Sequence, residues 1–261
     1  MRQDIKVFCG LIKMQLLAGL EYKGWWIMCI QVLVVCITDP LPTVLMFQRM
    51  GPIGEWSVER IMLVYALAVS SFGLAECVCR GFDVFPWQIQ SGSFDRLLLR
   101  PRSLAWQVAG SAFHIHRLSR FASGLAVVVW MLARLHVPAS PFVVAVIAMA
   151  ILGGTLMYCG VFVLSSGVAF FTIKALDWIY ILTNASYQVT RVPMEYMPKA
   201  IKYAFTFLLP VLFVGYYPAA AVCGWPGGEW GLIALPMGLL FLALSIGVWR
   251  FGVRHYQSTG S

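Results

Sequence analysis

The sequence predicts an all-α polytopic membrane protein: an amphipathic N-terminal helix, six transmembrane helices, a short cytoplasmic helix after the second span and re-entrant helices before the last. Three observations predict it. Of 261 residues 60% are hydrophobic and 11% charged, and a mean hydropathy of +0.80 is more than a water-exposed surface of this size tolerates. The apolar residues fall into runs of spanning length. The formal net charge of +8 gathers in clusters between those runs, a membrane-topology pattern and not a nucleic-acid footprint.

The elements follow in order. Over residues 1–22 the apolar positions Ile5, Phe8, Leu11, Ile12, Leu16 and Leu20 form a helical stripe interrupted by Lys6 and Lys13, which predicts an interfacial helix on the inner leaflet. The interruptions leave no apolar signal-peptide core, so this end is expected to be retained and cytoplasmic. Trp25-Trp26 opens the first span, which runs to about Phe47 and is kinked or ended by Asp39-Pro40 and Pro42. A short external turn leads to the second span, Glu59 to Cys79, where Glu76 and Arg80 stand four apart and can pair; a gating role is the alternative.

Gln88 to Pro101 then reads Q-I-Q-S-G-S-F-D-R-L-L-L-R-P, a polar interruption with Ser91-Gly92-Ser93 as a capping signal and Pro101 as a stop. Its basic charge places it inside, and Phe94, Leu97 and Leu98 give it an apolar face to dock on a partner, with Asp95, Arg96 and Arg100 setting orientation. Ser103 to Arg120 is too polar to span and predicts an inner-surface helix feeding the third span, Leu118 to Leu135. His114-x-His116 has no carboxylate or thiol at helical spacing, so no metal site is expected. The seven cysteines form no C-x-x-C pair and suit packing positions.

The fourth span, Phe142 to about Ile173, carries Ala150, Gly153, Gly154, Gly160, Ser165, Ser166 and Gly167, small residues that let helices approach within the molecule. The fifth runs from about Ala175 to Val189, and the external region 192–225 holds an apolar stretch, Tyr203 to Cys223, broken by Pro210, Gly215 and Pro218. That stretch is either a full span or a pair of half-helices that dip and return. Parity favours the second reading, because a full span would carry the last span, Leu232 to Phe251, and its tail of Arg250, Arg254 and His255 outside. With re-entry, thirteen basic residues lie inside and six outside, and both termini are cytoplasmic.

S-G-S-F-D-R-L-L-L-R-P, E-Y-K at 21 to 23 and the ending R-H-Y-Q-S-T-G-S resemble an ABC-type export permease of the type-2 exporter superfamily, a bacterial group formerly of unknown function. Its signatures read G-x-x-D-x-L-L-x-R-P and R-Y-x-S-x-G. The resemblance implies that residues 88–102 form the coupling segment, with Gly92, Asp95, Leu97, Leu98, Arg100 and Pro101 on the first signature and Arg254, Tyr256, Ser258 and Gly260 of the cytoplasmic tail on the second. His255 stands where a second arginine is frequent, and Phe94 where an acid is common. It further implies one transmembrane domain over 1–261, a bacterial inner-membrane location, a second permease subunit, the same or different, and cytoplasmic ABC ATPase partners.

The residues agree on one point: no G-x-x-x-x-G-K-[ST] occurs, so ATP and Mg are expected in a separate ATPase, and the chain is expected to hold no cofactor and to be no enzyme itself. An ion-coupled secondary transporter would show intramembrane acids and repeats. A lipid-modifying membrane enzyme would bring catalytic residues together, yet Asp39, Glu76, Asp177 and Glu195 fall at different predicted depths. An ATP-driven exporter subunit fits better than either.

Overall fold

A computed structural model describes residues 2–21, 24–52, 56–172, 190, 192 and 196–256; of residues 2–9, Leu20, Met50 and Ile115 only the backbone is described. Among them the chain is helical, with no β-strand. The expected fifth span, with Lys174 and Asp177, lies outside the described residues, as do Tyr22, Lys23, Ser258 and Gly260.

Helix α1 covers Arg2–Glu21. It presents Leu11, Ile12, Gln15, Leu16 and Gly19 to the protein and leaves Lys13, Met14, Leu17 and Ala18 exposed. Helices α2 (Trp25–Thr38) and α3 (Leu41–Met50) together form a run, Trp25–Arg49, long and apolar enough to cross a membrane. Asp39-Pro40 does not end it. The ladder continues across the joint, with Asp39 N–H on the Val35 carbonyl at 2.9 Å and Val44 N–H on that of Pro40 at 3.0 Å. Pro42 sits in the first turn of α3, where its missing N–H costs nothing.

Helix α4 (Val58–Val78) is the buried centre, capped by Ser57, whose side chain accepts from Arg60 N–H. After it come α5 (Arg80–Asp83), α6 (Phe85–Gln90), α7 (Asp95–Leu98) and α8 (Leu104–Ala109), all short and all at one end of the bundle. The single inner-surface helix expected over Ser103 to Arg120 is replaced by α8, a break at Gly110 and a 3-10 turn at Ile115–Arg117. The break frees Ser111 to serve as a junction: its carbonyl accepts from Gln15 Nε2 of α1, and its hydroxyl accepts from Gln88 Nε2, both at 3.2 Å.

Helix α9 (Leu118–Arg134) returns antiparallel to α4, with Gly73 against Arg120 and Phe121, and Gly124 against Ser70 and Ala66. Its 17 residues rise about 26 Å. Helix α10 (Pro141–Ala169) starts on a Ser140 cap with proline in its first turn and passes down the core. Helix α11 (Lys199–Tyr203), a π-helical turn at Ala204–Leu208, a 3-10 turn at Val211–Phe213 and α12 (Tyr216–Cys223) form a pair of segments bent by 75°. The elbow is deep: Val214 packs over Gly154, and Gly215 against the Val64 carbonyl. The two arms meet again at the top, where Lys202, Tyr217 and Trp230 line one cleft of about 360 Å³.

The last helix, α13 (Ala234–Arg254), runs parallel to α10. Gly153, Gly160 and Gly167 recur every seven residues on α10, as Gly238, Ser245 and Gly252 do on α13. A Cβ on Gly238 would stand 2.1 Å from the Gly153 carbonyl oxygen, and one on Gly153 2.4 Å from that of Ala234. The backbones therefore touch at this level, an approach that small residues permit and larger ones forbid. Among the described residues four helical runs, Trp25–Arg49, Val58–Val78, Pro141–Ala169 and Gly228–Arg254, are long and apolar enough to cross a membrane, or five if the bent pair is one span.

Candidate functional site

One end of the bundle collects Arg80, Arg96, Arg100, Arg102, Arg117, Arg120, Arg250 and Arg254 at the ends of α4 and α13, the start of α9 and the short helices. Two constructions occupy it.

The first is an ionic hub. Glu76, 2% exposed near the end of α4, pairs with Arg80 at 3.3 Å, Arg117 at 3.0 Å and Arg120 at 2.7 Å, and Arg80 also pairs with Asp83. An isolated carboxylate at this depth is expensive, and three guanidiniums from three elements, α5, the 3-10 turn and α9, offset that cost. The sequence indicated only the Arg80 pair. The signal for the rest was the three-residue spacing of Arg117 and Arg120 at the start of the antiparallel neighbour, which needs the helix pairing to be read. Burial pushes the Asp83 carboxyl up, with Arg80 opposing. His114 and His116 stand with ring centroids 5.4 Å apart, and burial with the nearby Arg117 lowers both, His116 to about 4.

The second is the segment Gln88 to Pro101. Gly92 has φ +65, a left-handed conformation that explains glycine at that position. Ser93 does not cap α7: its hydroxyl donates back to the Gln88 carbonyl at 3.2 Å, and Phe94 occupies the cap position with no side-chain cap bond. The serines thus close the turn and leave α7 to be held by tertiary contacts.

Phe94 corrects the expected docking face. It is 0% exposed and points into the protein, with its ring edge-on to Phe85 at 5.1 Å, Phe170 at 5.6 Å and Tyr256 at 5.0 Å. An aromatic ring of that size, once buried, supplies anchoring and not partner contact. Leu97 is half-buried against the same cluster. Asp95 accepts a hydrogen bond from the Tyr256 hydroxyl at 3.0 Å. Burial and that carboxylate raise the Tyr256 phenol above its usual range, which keeps it a donor. The outward residues are Arg96, Leu98 at 44% exposure, Leu99 at 85%, Arg100 and Pro101. Leu99 was not singled out by sequence, because helical phase alone did not show which leucine faces out. Arg254 is exposed at the end of α13.

Apolar helices of spanning length, closed at one end by a basic, partly apolar knuckle, define a multi-pass membrane protein. The family comparison makes this particular: residues 33–260 match the model of the ABC-2 family transporter protein, and the chain belongs to that family, which makes it an ABC transporter membrane subunit. No curated protein and no solved structure matches the chain.

Proposed function

We propose that this chain is the permease subunit of an ATP-driven exporter in the bacterial inner membrane, moving its cargo by conformational coupling to a separate ATPase that binds ATP and Mg. The observation that carries the reading is the protruding Leu98-Leu99-Arg100 knuckle on an otherwise anchored segment, a small apolar and charged surface suited to insertion into a partner's groove. In this reading residues 88–102 are the coupling segment and α1 is the interfacial helix. Six spans place both termini in the cytoplasm, the unit contains two permeases and two ATPases, and the chain has no catalytic or cofactor site of its own.

The bent pair supports re-entry of residues 203–223. Lys202 on the first arm and Tyr217 on the second line the same cleft, while the elbow reaches the level of Gly154, so the geometry suits a dip and return. Work entering at the knuckle would change how the helices pack.

Leu98→Ala with Leu99→Ala tests the coupling role. The double variant should insert normally and weaken co-purification of the ATPase by about ten- to a hundredfold, the equivalent of one or two buried leucine contacts. Arg100→Glu should weaken it independently, by reversing a rim charge. Undiminished ATPase binding by the correctly inserted double variant would rule out this surface as the coupling contact.

A further inference from the structure

We infer that Tyr256 is a positioning residue that latches the segment Phe94–Leu98 onto the α10 and α13 pair, so that force on Leu98 and Leu99 passes into that pair through one aromatic and polar clasp. The inference rests on the proposed coupling role for its direction of force, but the latch itself stands on contacts.

Helix α7 is a single turn of four residues with no side-chain cap, too short to hold a shape alone. What fixes it comes from far along the chain. The Tyr256 hydroxyl reaches Asp95 across 161 positions, and its ring covers Phe94 edge-on at 5.0 Å. Phe170, one residue past the end of α10, closes the same box against both Phe94 at 5.6 Å and Tyr256 at 5.7 Å. Phe85 completes it and leans on Trp249 of α13 with centroids 6.4 Å apart. Four rings from α6, the segment, the end of α10 and the tail thus form one cluster. A hydrogen bond to a carboxylate sets its direction, which apolar contact alone does not.

The receiving body is built to move as one. The repeated small residues of α10 and α13 put their backbones in contact at Gly153 and Gly238 and again at Gly167 and Gly252. The Ser166 hydroxyl of α10 donates to the Phe82 carbonyl, tying α5 to the same body. Two stretches that the sequence marked separately, D-R-L-L and R-H-Y, therefore meet as the two halves of one clasp.

Amide hydrogen exchange on the full chain in nanodiscs reads the latch. Tyr256→Phe keeps the ring and deletes the hydroxyl, so residues 94–98 should exchange about tenfold faster, the factor expected from loss of one charge-assisted hydrogen bond. Asp95→Asn keeps an acceptor oxygen but loses the charge, so its exchange should fall between wild type and Tyr256→Phe. Unchanged exchange in Tyr256→Phe would overturn the latch.

A second arm uses the chain with its co-purified ATPase, trapped with ATP and vanadate. Trapping should alter exchange at residues 94–98 and 249–256 in the wild type, and only at 94–98 in Tyr256→Phe. Equal propagation to 249–256 in both would overturn the route. Failure of any ATPase to co-purify with the wild type would sink the exporter reading, and the partner-free arm would then decide the latch by itself.

Discussion

Glu76 concentrates the electrostatics of the basic end in one side chain. It is 2% exposed, and its two oxygens hold guanidiniums from α4's own extension and from the start of α9, so it joins two antiparallel helices. Removing its charge takes the shared anion away from Arg80, Arg117 and Arg120 and leaves Asp83 on Arg80. Glu76→Gln should therefore destabilise the protein by about 3 kcal/mol, the scale seen when one partner of a buried pair is lost. Arg80→Gln should cost less, because Arg117 and Arg120 remain on the carboxylate and the Arg80 side chain is partly exposed. Thermal unfolding of both variants in one detergent orders them, and a Glu76→Gln protein as stable as wild type would show that the hub is not a structural joint. The sequence disclosed half of this hub. Glu76 and Arg80 are close in the chain, whereas Arg117 and Arg120 become neighbours only once α9 folds back along α4.

At the scale of elements, the α10 and α13 pair explains most of the small residues. The spacing of Gly153, Gly160 and Gly167 was legible as a close-packing face, and intramolecular packing was the reading it supported. Its partner was not legible, because Gly238, Ser245 and Gly252 sit in a helix more than eighty positions away. A controlled pair of substitutions separates close approach from helix propensity. Gly238→Ala places a methyl 2.1 Å from a carbonyl oxygen, whereas Gly247 on the same helix has nothing within 4 Å. Overpacking should cost Gly238→Ala about 1–3 kcal/mol, while Gly247→Ala should be neutral or gain up to about 1 kcal/mol from better helix propensity. Equal effects in the two variants, read by thermal unfolding, would mean that the helices separate without cost. Phe94 teaches the complementary lesson. Its place beside Leu97 and Leu98 suggested a shared outward face, but α7 is one turn long and its phase is set by the aromatic box, so the ring turned inward and Leu99 outward.

For the whole molecule, the distribution of charge bears on sidedness. Arg80, Arg96, Arg100, Arg102, Arg117, Arg120, Arg250 and Arg254 occupy one end of the bundle, and Arg49, Arg60, Arg134, Lys199 and Lys202 the other. In the proposed reading, the excess of basic residues makes the first end the cytoplasmic one by the positive-inside rule. Parallel α10 and α13 add a constraint independent of charge. The chain leaves α10 at the basic end and enters α13 at the opposite one, so an odd number of crossings must lie between them. If the bent pair starts and finishes at the same end, as the cleft shared by Lys202 and Tyr217 suggests, it contributes none of them. A full crossing by 203–223 would instead demand two further crossings or none. Single cysteines replacing Ser258 and Lys202 in intact cells distinguish these arrangements. The first should resist an impermeant maleimide until the membrane is opened, and the second should react from outside. A Ser258 cysteine that reacts from outside would place the basic end in the periplasm, away from any cytoplasmic ATPase. Both being protected would turn the bent pair into a full span.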